Sequence, residues 1–238
     1  RYSGDPMAFV YVPTIVDYVL DYCVTGPDHP WPRFLIATPT KGIGYQKADP
    51  NVPNQLDLCA YLGLEVLRAY KLLGNERYLE AAKRWGDVFA EKCNLSNPEL
   101  PPWNRYMSPE FMLWSDELTG STALIAKFLD ALIDMGYEGK DRLIVKARAA
   151  GRAYLTAQML PRWIDNEAWG RHYWDVEGDW ISGGVSWFCV YFMDHPDAFP
   201  NWRNDVRNIL SLVFNRNCVD PASRGEVYSG AWAFPESF

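Results

Sequence analysis

The residues best suited to chemistry crowd into one run, Trp163-Ile-Asp-Asn-Glu-Ala-Trp-Gly-Arg-His-Tyr-Trp-Asp-Val-Glu-Gly-Asp-Trp180. The flat faces of Trp169, Trp174 and Trp180 suit the C–H faces of a pyranose ring. The carboxylates between them, Asp165, Glu167, Asp175, Glu177 and Asp179, can bond hydroxyls or act on them. A second acidic set, Asp116 and Glu117, sits in Trp114-Ser-Asp-Glu-Leu-Thr-Gly120. Glycoside hydrolysis needs two carboxyl groups, roughly 5–5.5 Å apart for retention and 6.5–9.5 Å for inversion. Asp116 and Asp175 are the candidate pair. Tyr173 and Trp174 are expected to bury one side of Asp175 and raise its pKa, as an acid catalyst requires.

Arg171-His172-Tyr173 points to a different reaction. A polysaccharide lyase removes the proton α to a uronic carboxyl group with a His or Tyr base, while an Arg neutralises that carboxylate. His172 and Tyr173 are the candidate bases and Arg171 the neutralising group. Tyr228 and Arg224, in Ser223-Arg-Gly-Glu-Val-Tyr-Ser-Gly230, are secondary candidates. Each of these residues also has a plainer reading. Ser115 or Asp116 can cap a helix N-terminus, a lone loop His is often a hydrogen-bonded bystander, and a Trp-rich loop can simply be packed.

Bulk properties remove other functions. A net charge of −7 and a pI near 5.0 disfavour nucleic acid, which needs a basic face. The sequence has no run of eighteen apolar residues long enough to span a membrane. The five cysteines, Cys23, Cys59, Cys93, Cys189 and Cys218, are scattered, form no CxxC motif and read as structural. There is no phosphate-cradling glycine loop and no Gly-x-Ser-x-Gly elbow. Asp175-Val-Glu-Gly-Asp179 lacks the glycine position and distal Glu of an EF-hand, and three separated histidines argue against zinc. No metal or cofactor is expected. An opening at Arg1 rather than Met fits a processed or trimmed product.

The elements that must position these residues read as helical pairs. After an N-terminal helix, Met7–Cys23, the pairs are Gln55–Leu73 with Glu76–Cys93, Leu118–Met135 with Lys140–Leu160, and Gly183–Asp194 with Asn201–Arg216. Gly, Asn and Pro mark the short joints within each pair. The first member of each pair is apolar nearly all round and predicts an inner helix. The second is striped, with Tyr78, Ala82, Trp85 and Phe89, then Leu143, Ala147, Ala150 and Tyr154, then Val206, Leu210 and Val213. This is an internal repeat of about 63 residues. Phe34–Thr38 is the only stretch expected to be extended.

Long connections, Val24–Asn54, Asn94–Glu117 and Pro161–Ser182, lead into the inner helices. If those helices run parallel, all three connections emerge on one face, where helix N-termini offer free N–H groups and positive partial charge. Eight of the eleven tryptophans, Trp31, Trp103, Trp114, Trp163, Trp169, Trp174, Trp180 and Trp232, fall outside the helical segments. Loops carry function more often than cores do, so these indoles are expected to line a cleft on that face.

Helical hairpins with short outer turns, the element Leu73-Gly-Asn-Glu-Arg-Tyr-Leu-Glu-Ala-Ala-Lys-Arg-Trp85 and Trp/Tyr-rich loops on one side resemble the (α/α) toroids of carbohydrate-active enzymes. These include the six-hairpin glycosidases and several polysaccharide lyases. The resemblance covers residues 54–216 and is architectural. It implies one all-α toroid domain over residues 1–238, incomplete with three hairpins, which a further helical segment or a second copy would close. The function expected is a glycoside hydrolase using Asp116 and Asp175. Trp114, Trp169, Arg171, Trp174, Trp180 and Tyr228 are expected to bind the sugar. The alternatives are a lyase using His172 and Tyr173, and a non-catalytic glycan- or protein-binding module.

Overall fold

The computed structural model describes residues 6–36, 54–104, 106–109, 121–161 and 187–217. Within them the fold is predominantly helical, with one two-stranded sheet. The helices are α1 (Ala8–Tyr22), α2 (Leu56–Leu73), α3 (Glu76–Glu91), α4 (Ser121–Ile133), α5 (Leu143–Tyr154), α6 (187–194) and α7 (Trp202–Asn217). A π-helical turn, Leu155–Met159, continues α5.

The joint between α2 and α3 shows how local chemistry sets a hairpin. Gly74 takes a left-handed φ of 69° and returns its N–H to Tyr70, a conformation that suits a residue without Cβ. Asn75 Oδ1 then accepts the Arg77 N–H at 3.1 Å and opens α3. Helix stop and restart thus take two residues, so α2 and α3 lie antiparallel.

The hairpins pack first helix on first helix, α2 against α4, and second on second, α3 against α5. Gly63 makes the inner contact close. A Cβ there would lie 2.6 Å from Phe128 Cε2, so the ring occupies the space a side chain would need. One cluster of buried residues joins α1 to α5, and a second joins α4 and α5 to the third hairpin through Phe188, Tyr191, Phe192, Phe199, Val206 and Ile209.

The inner helices share a direction. The C-terminal half of α3 is held by Trp103, whose Nε1–H donates to Phe89 O at 2.8 Å. Trp103 and Thr122 both lie beside Gly151. The start of α4 therefore sits at the end of the first hairpin where α2 starts. For α6, Trp187 shares a cavity wall with Leu124, while Asp194 and His195 reach Lys127 and Asp130 further along α4.

Several expectations need correction. In the first hairpin the outer helix is as enclosed as the inner one. α3 buries Tyr78, Ala82, Trp85 and Phe89 as its stripe predicts, while α2 leaves Leu58, Tyr61 and Leu72 exposed. The cause is packing: α3 is covered by neighbouring helices, and among the described residues one side of α2 has no helix against it. The buried stripe of α5 is Ile144, Ala147, Gly151 and Tyr154, displaced by one position from Leu143 and Ala150. On α7, Leu210 is exposed and Ile209 buried. The extended structure differs too. Leu35 makes only an isolated bridge to Val24, whereas β1 (Asn54–Gln55) pairs antiparallel with β2 (Tyr106–Met107), Asn54 opposite Met107. Positions 37 and 38 of the expected strand lie outside the described residues, as do 118–120 and 183–186 of the expected inner helices.

α1 is apolar on all sides but covered on one. Val16 and Leu20 are buried, and Asp17 and Asp21 pair with Arg77 of α3. Met7, Tyr11, Ile15, Tyr18 and Tyr22 form a stripe on the exposed side.

The close approach of α2 to α4 predicts the cost of filling it. Gly63→Val should destabilise the protein by about 1–3 kcal/mol, because Phe128 is fully buried and its ring cannot move aside cheaply. Chemical denaturation of the two proteins side by side measures this. Equal midpoints would show that the two inner helices do not meet at Gly63.

Candidate functional site

The end of the molecule where the inner helices begin carries an uncommon set of buried polar side chains. Asn54, Asp57, Asn104, Ser108 and Thr122 are all buried there, with Trp103 and Met107. The β1–β2 pair ties the connection entering α2 to the one leading toward α4. Asp57 stands in the first turn of α2, with Oδ1 accepting the Leu58 N–H at 2.9 Å and Oδ2 accepting Gln55 Nε2–H at 3.4 Å. A carboxylate in a first turn is favoured by the free N–H groups and the positive end of the helix dipole. Sequence reading absorbed Asp57 into an apolar inner helix. Its one signal was an ionisable residue in an otherwise apolar segment.

The residues named from sequence as the site, Trp114, Asp116, Trp169, Arg171, His172, Tyr173, Trp174, Asp175, Trp180 and Tyr228, all lie outside the described residues. What is described is the anchor points of the segments that carry most of them. Residues 110–120 run into α4, and residues 162–186 join Leu160 and Pro161 to α6.

Two loop indoles are described, and both correct the cleft expectation. Trp31 and Trp103 are fully buried. Trp31 packs edge-on against Phe34, with ring centroids 5.5 Å apart, and Trp103 is bonded to Phe89 O. These two are core residues supplied by connections. The helical Trp187 instead lines an open groove with Tyr61, Leu64, Glu65, Arg68, Leu124, Lys127 and Val190. The groove runs along the middle of α2, beside α4 and α6. Two aromatic rings lie on its walls, and ion pairs Arg68–Glu65 and Lys127–Asp194 (2.8 Å) stand at its margin.

Further along the inner helices a buried carboxylate gathers the second and third hairpins. Asp130 of α4 accepts from Arg148 at 2.5 Å and from Arg152 at 2.9 Å, both on α5. The Tyr191 hydroxyl donates to it at 2.6 Å, and His195 Nε2 lies 3.4 Å away. Arg152 Nε–H also donates to the Tyr191 oxygen at 2.8 Å. Burial, and then the Asp130 charge, push the Tyr191 phenol above the ordinary tyrosine range, so it stays a donor. With every partner engaged, this cluster fixes helices rather than offering a free acid or base. His195 reads from sequence as a turn residue beside a proline; in the fold its ring sits on Tyr191, with centroids 4.5 Å apart.

Cys23, Cys93 and Cys189 form no disulfide among the described residues. Burial pushes the Cys93 thiol up to about 12 and the Cys189 thiol up to about 11, as expected of structural residues. Cys218 lies outside the described residues. No group of three or more His, Cys, Asp or Glu side chains that could hold a metal occurs among the described residues.

Two measurements follow from these geometries. Asp130→Ala should lower stability by on the order of 3 kcal/mol, since it leaves two guanidinium groups without their shared carboxylate. A loss below about 1 kcal/mol in denaturant titrations would reduce the cluster to a surface ion pair. The thiols should also make stability fall in alkali. Their folded pKa values are raised above the ordinary 9.0, so their contribution is intact below pH 9 and declines as pH rises toward 11 and 12. Cys93→Ala with Cys189→Ala should flatten that decline.

The chain matches no family model, and no curated protein or solved structure shows significant similarity to it.

Proposed function

We propose that the chain is part of an (α/α) toroid that acts on carbohydrate, as a glycoside hydrolase using Asp116 and Asp175. The observation that carries this reading is the shared direction of the inner helices, with the β1–β2 pair drawing two long connections together where α2 begins. The segments holding Asp116 and the Trp163–Trp180 run lead into α4 and α6 at that same end. In this reading Trp114, Trp169, Trp174, Trp180 and Tyr228 stack on sugar rings, and Arg171 bonds hydroxyls. The groove walled by Tyr61 and Trp187 extends the aromatic surface along the inner helices.

A second reading, elimination from a uronate-containing glycan, is favoured by the adjacency of Arg171, His172 and Tyr173. Both readings place the ring's closure in further helices or in a second copy. The exposed apolar side of α1 supports that, because exposed apolar surface of more than a few hundred Å² usually marks an interface.

Activity separates the readings. Polysaccharides should be screened for new reducing ends and for the absorbance of an unsaturated uronide. Under hydrolysis, Asp116→Asn should reduce turnover at least 100-fold, in line with loss of an acid or base, while His172→Ala should retain most of it. The reverse pattern would assign the lyase. Trp169→Ala, Trp174→Ala and Trp180→Ala should weaken glycan binding with little change in melting temperature at one or more positions. Loss of roughly 3–5 kcal/mol of stability at all three, the cost of a core indole, with affinity unchanged, would end the sugar-cleft reading.

A further inference from the structure

A second cleft lies between α1, the segment after it and α3, and three arginines wall it. Arg33, Arg77 and Arg84 line this open cleft with Leu20, Asp21, Val24 and Ala81. Its uncompensated positive charge comes from Arg33 and Arg84, on a chain whose net charge is −7. Arg77 is tied to Asp17 and Asp21 of α1. Among the described residues, neither Arg33 nor Arg84 has an ion-pair partner. Arg77, Ala81 and Arg84 share one face of α3 by their spacing.

Arg33 is the more telling of the two. It sits in a turn closed by the Phe34 N–H onto Trp31 O at 3.3 Å, follows Pro32, and takes a φ of 53°. A left-handed residue after a turn proline is normally Gly or Asn. An arginine there carries backbone strain, and its exposed side chain gains no packing in return. The turn is nevertheless held firmly. Trp85 Nε1–H donates to Arg33 O at 2.8 Å, Phe34 N–H also reaches Thr25 Oγ1 at 2.9 Å, and Trp31 and Phe34 are buried on both sides of it. The strained backbone therefore launches this guanidinium from a fixed point beside two others.

We propose that this cleft binds an oxyanion group, a sulfate, phosphate or carboxylate carried by a ligand. Arg33 and Arg84 supply forked, charge-assisted hydrogen bonds to its oxygens. Arg77, its charge offset by Asp17 and Asp21, shapes one wall without adding net positive charge, and Leu20, Val24 and Ala81 meet the uncharged part of the ligand. Arg77 belongs to the first turn of α3, at the short-turn end of the first hairpin. The cleft flanks the first hairpin, on residues the carbohydrate reading does not use.

The full chain should be titrated calorimetrically with inorganic phosphate, sulfate and acetate, against sodium chloride at matched ionic strength. A sulfated heparin oligosaccharide and an oligogalacturonate then distinguish a sulfate source from a carboxylate one. Saturable binding of at least one probe is expected, weakening as salt rises. Arg84→Ala and Arg33→Gly should each weaken it at least tenfold. Arg33→Gly should also melt at the same temperature as the parent or a few degrees higher without anion, because glycine relieves the left-handed strain. Its loss of affinity could then not be ascribed to unfolding. Absence of saturable binding with every probe, or binding by both variants within twofold of the parent, would overturn the proposal.

Discussion

Phe128 is the wedge on which the first two hairpins close. Its ring fills the space left by Gly63 on α2 and meets Phe89 of α3 edge-on, with centroids 5.8 Å apart. Phe89 meets Phe34, and Phe34 meets Trp31, each at 5.5 Å and edge-on. Four rings thus run from an inner helix through an outer helix to the segment after α1. Edge-to-face pairs are worth about 0.5–1.5 kcal/mol each beyond the area they bury. More important is position: one side chain fixes the separation of α2 and α4, and the same side chain reaches the layer outside them. Gly86 repeats the device on α3, where Leu132 and Ile144 occupy the missing side chain's place.

The hairpins are joined by two kinds of contact. Between helices, charge does the joining. Asp130 draws two arginines from α5 and a tyrosine and histidine from the third hairpin. Tyr137 of the second hairpin donates to Asp87 of the first at 2.7 Å. Between helices and connections, backbone and indole groups do it, through the β1–β2 pair and Trp103 on Phe89 O. A charge cluster needs long side chains from several helices at one place, and regular helices provide that. Irregular connections can offer mainly backbone and large rings.

The hairpins were legible because their signals are local. Gly74-Asn75 ends one helix and caps the next within two residues, and the stripe of α3 needs only its own spacing. The stripe of α5 was misplaced by one position because Leu143 and Ile144 are equally apolar, and only the neighbour, with Gly86 open beneath Ile144, decides between them. The Asp130 cluster left no trace, since its partners lie 18 to 65 positions away in sequence. The indoles misled for an instructive reason. The final turn of a helix leaves carbonyls without intrahelical partners, and an indole N–H from a connection can satisfy one while its ring covers the helix end. Trp103 does this for α3. A loop Trp can therefore be core by necessity, and only residue-level geometry separates it from one that faces ligand.

The same reasoning bears on the bare surfaces. A helix that is apolar all round and covered on one side has been given residues for a second neighbour. On α1, Val16 and Leu20 face inward while Tyr11, Ile15 and Tyr18 face out, and both aspartates are drawn toward Arg77. The outward face is thus left without charge. On α2 the bare side differs, because Glu65 and Arg68 pair with each other beside Tyr61. A charged pair tolerates water, whereas an uncharged aromatic stripe gains nothing from it. The two exposed faces therefore suit different neighbours: a packed helix against α1, and a wet, aromatic-walled channel along α2.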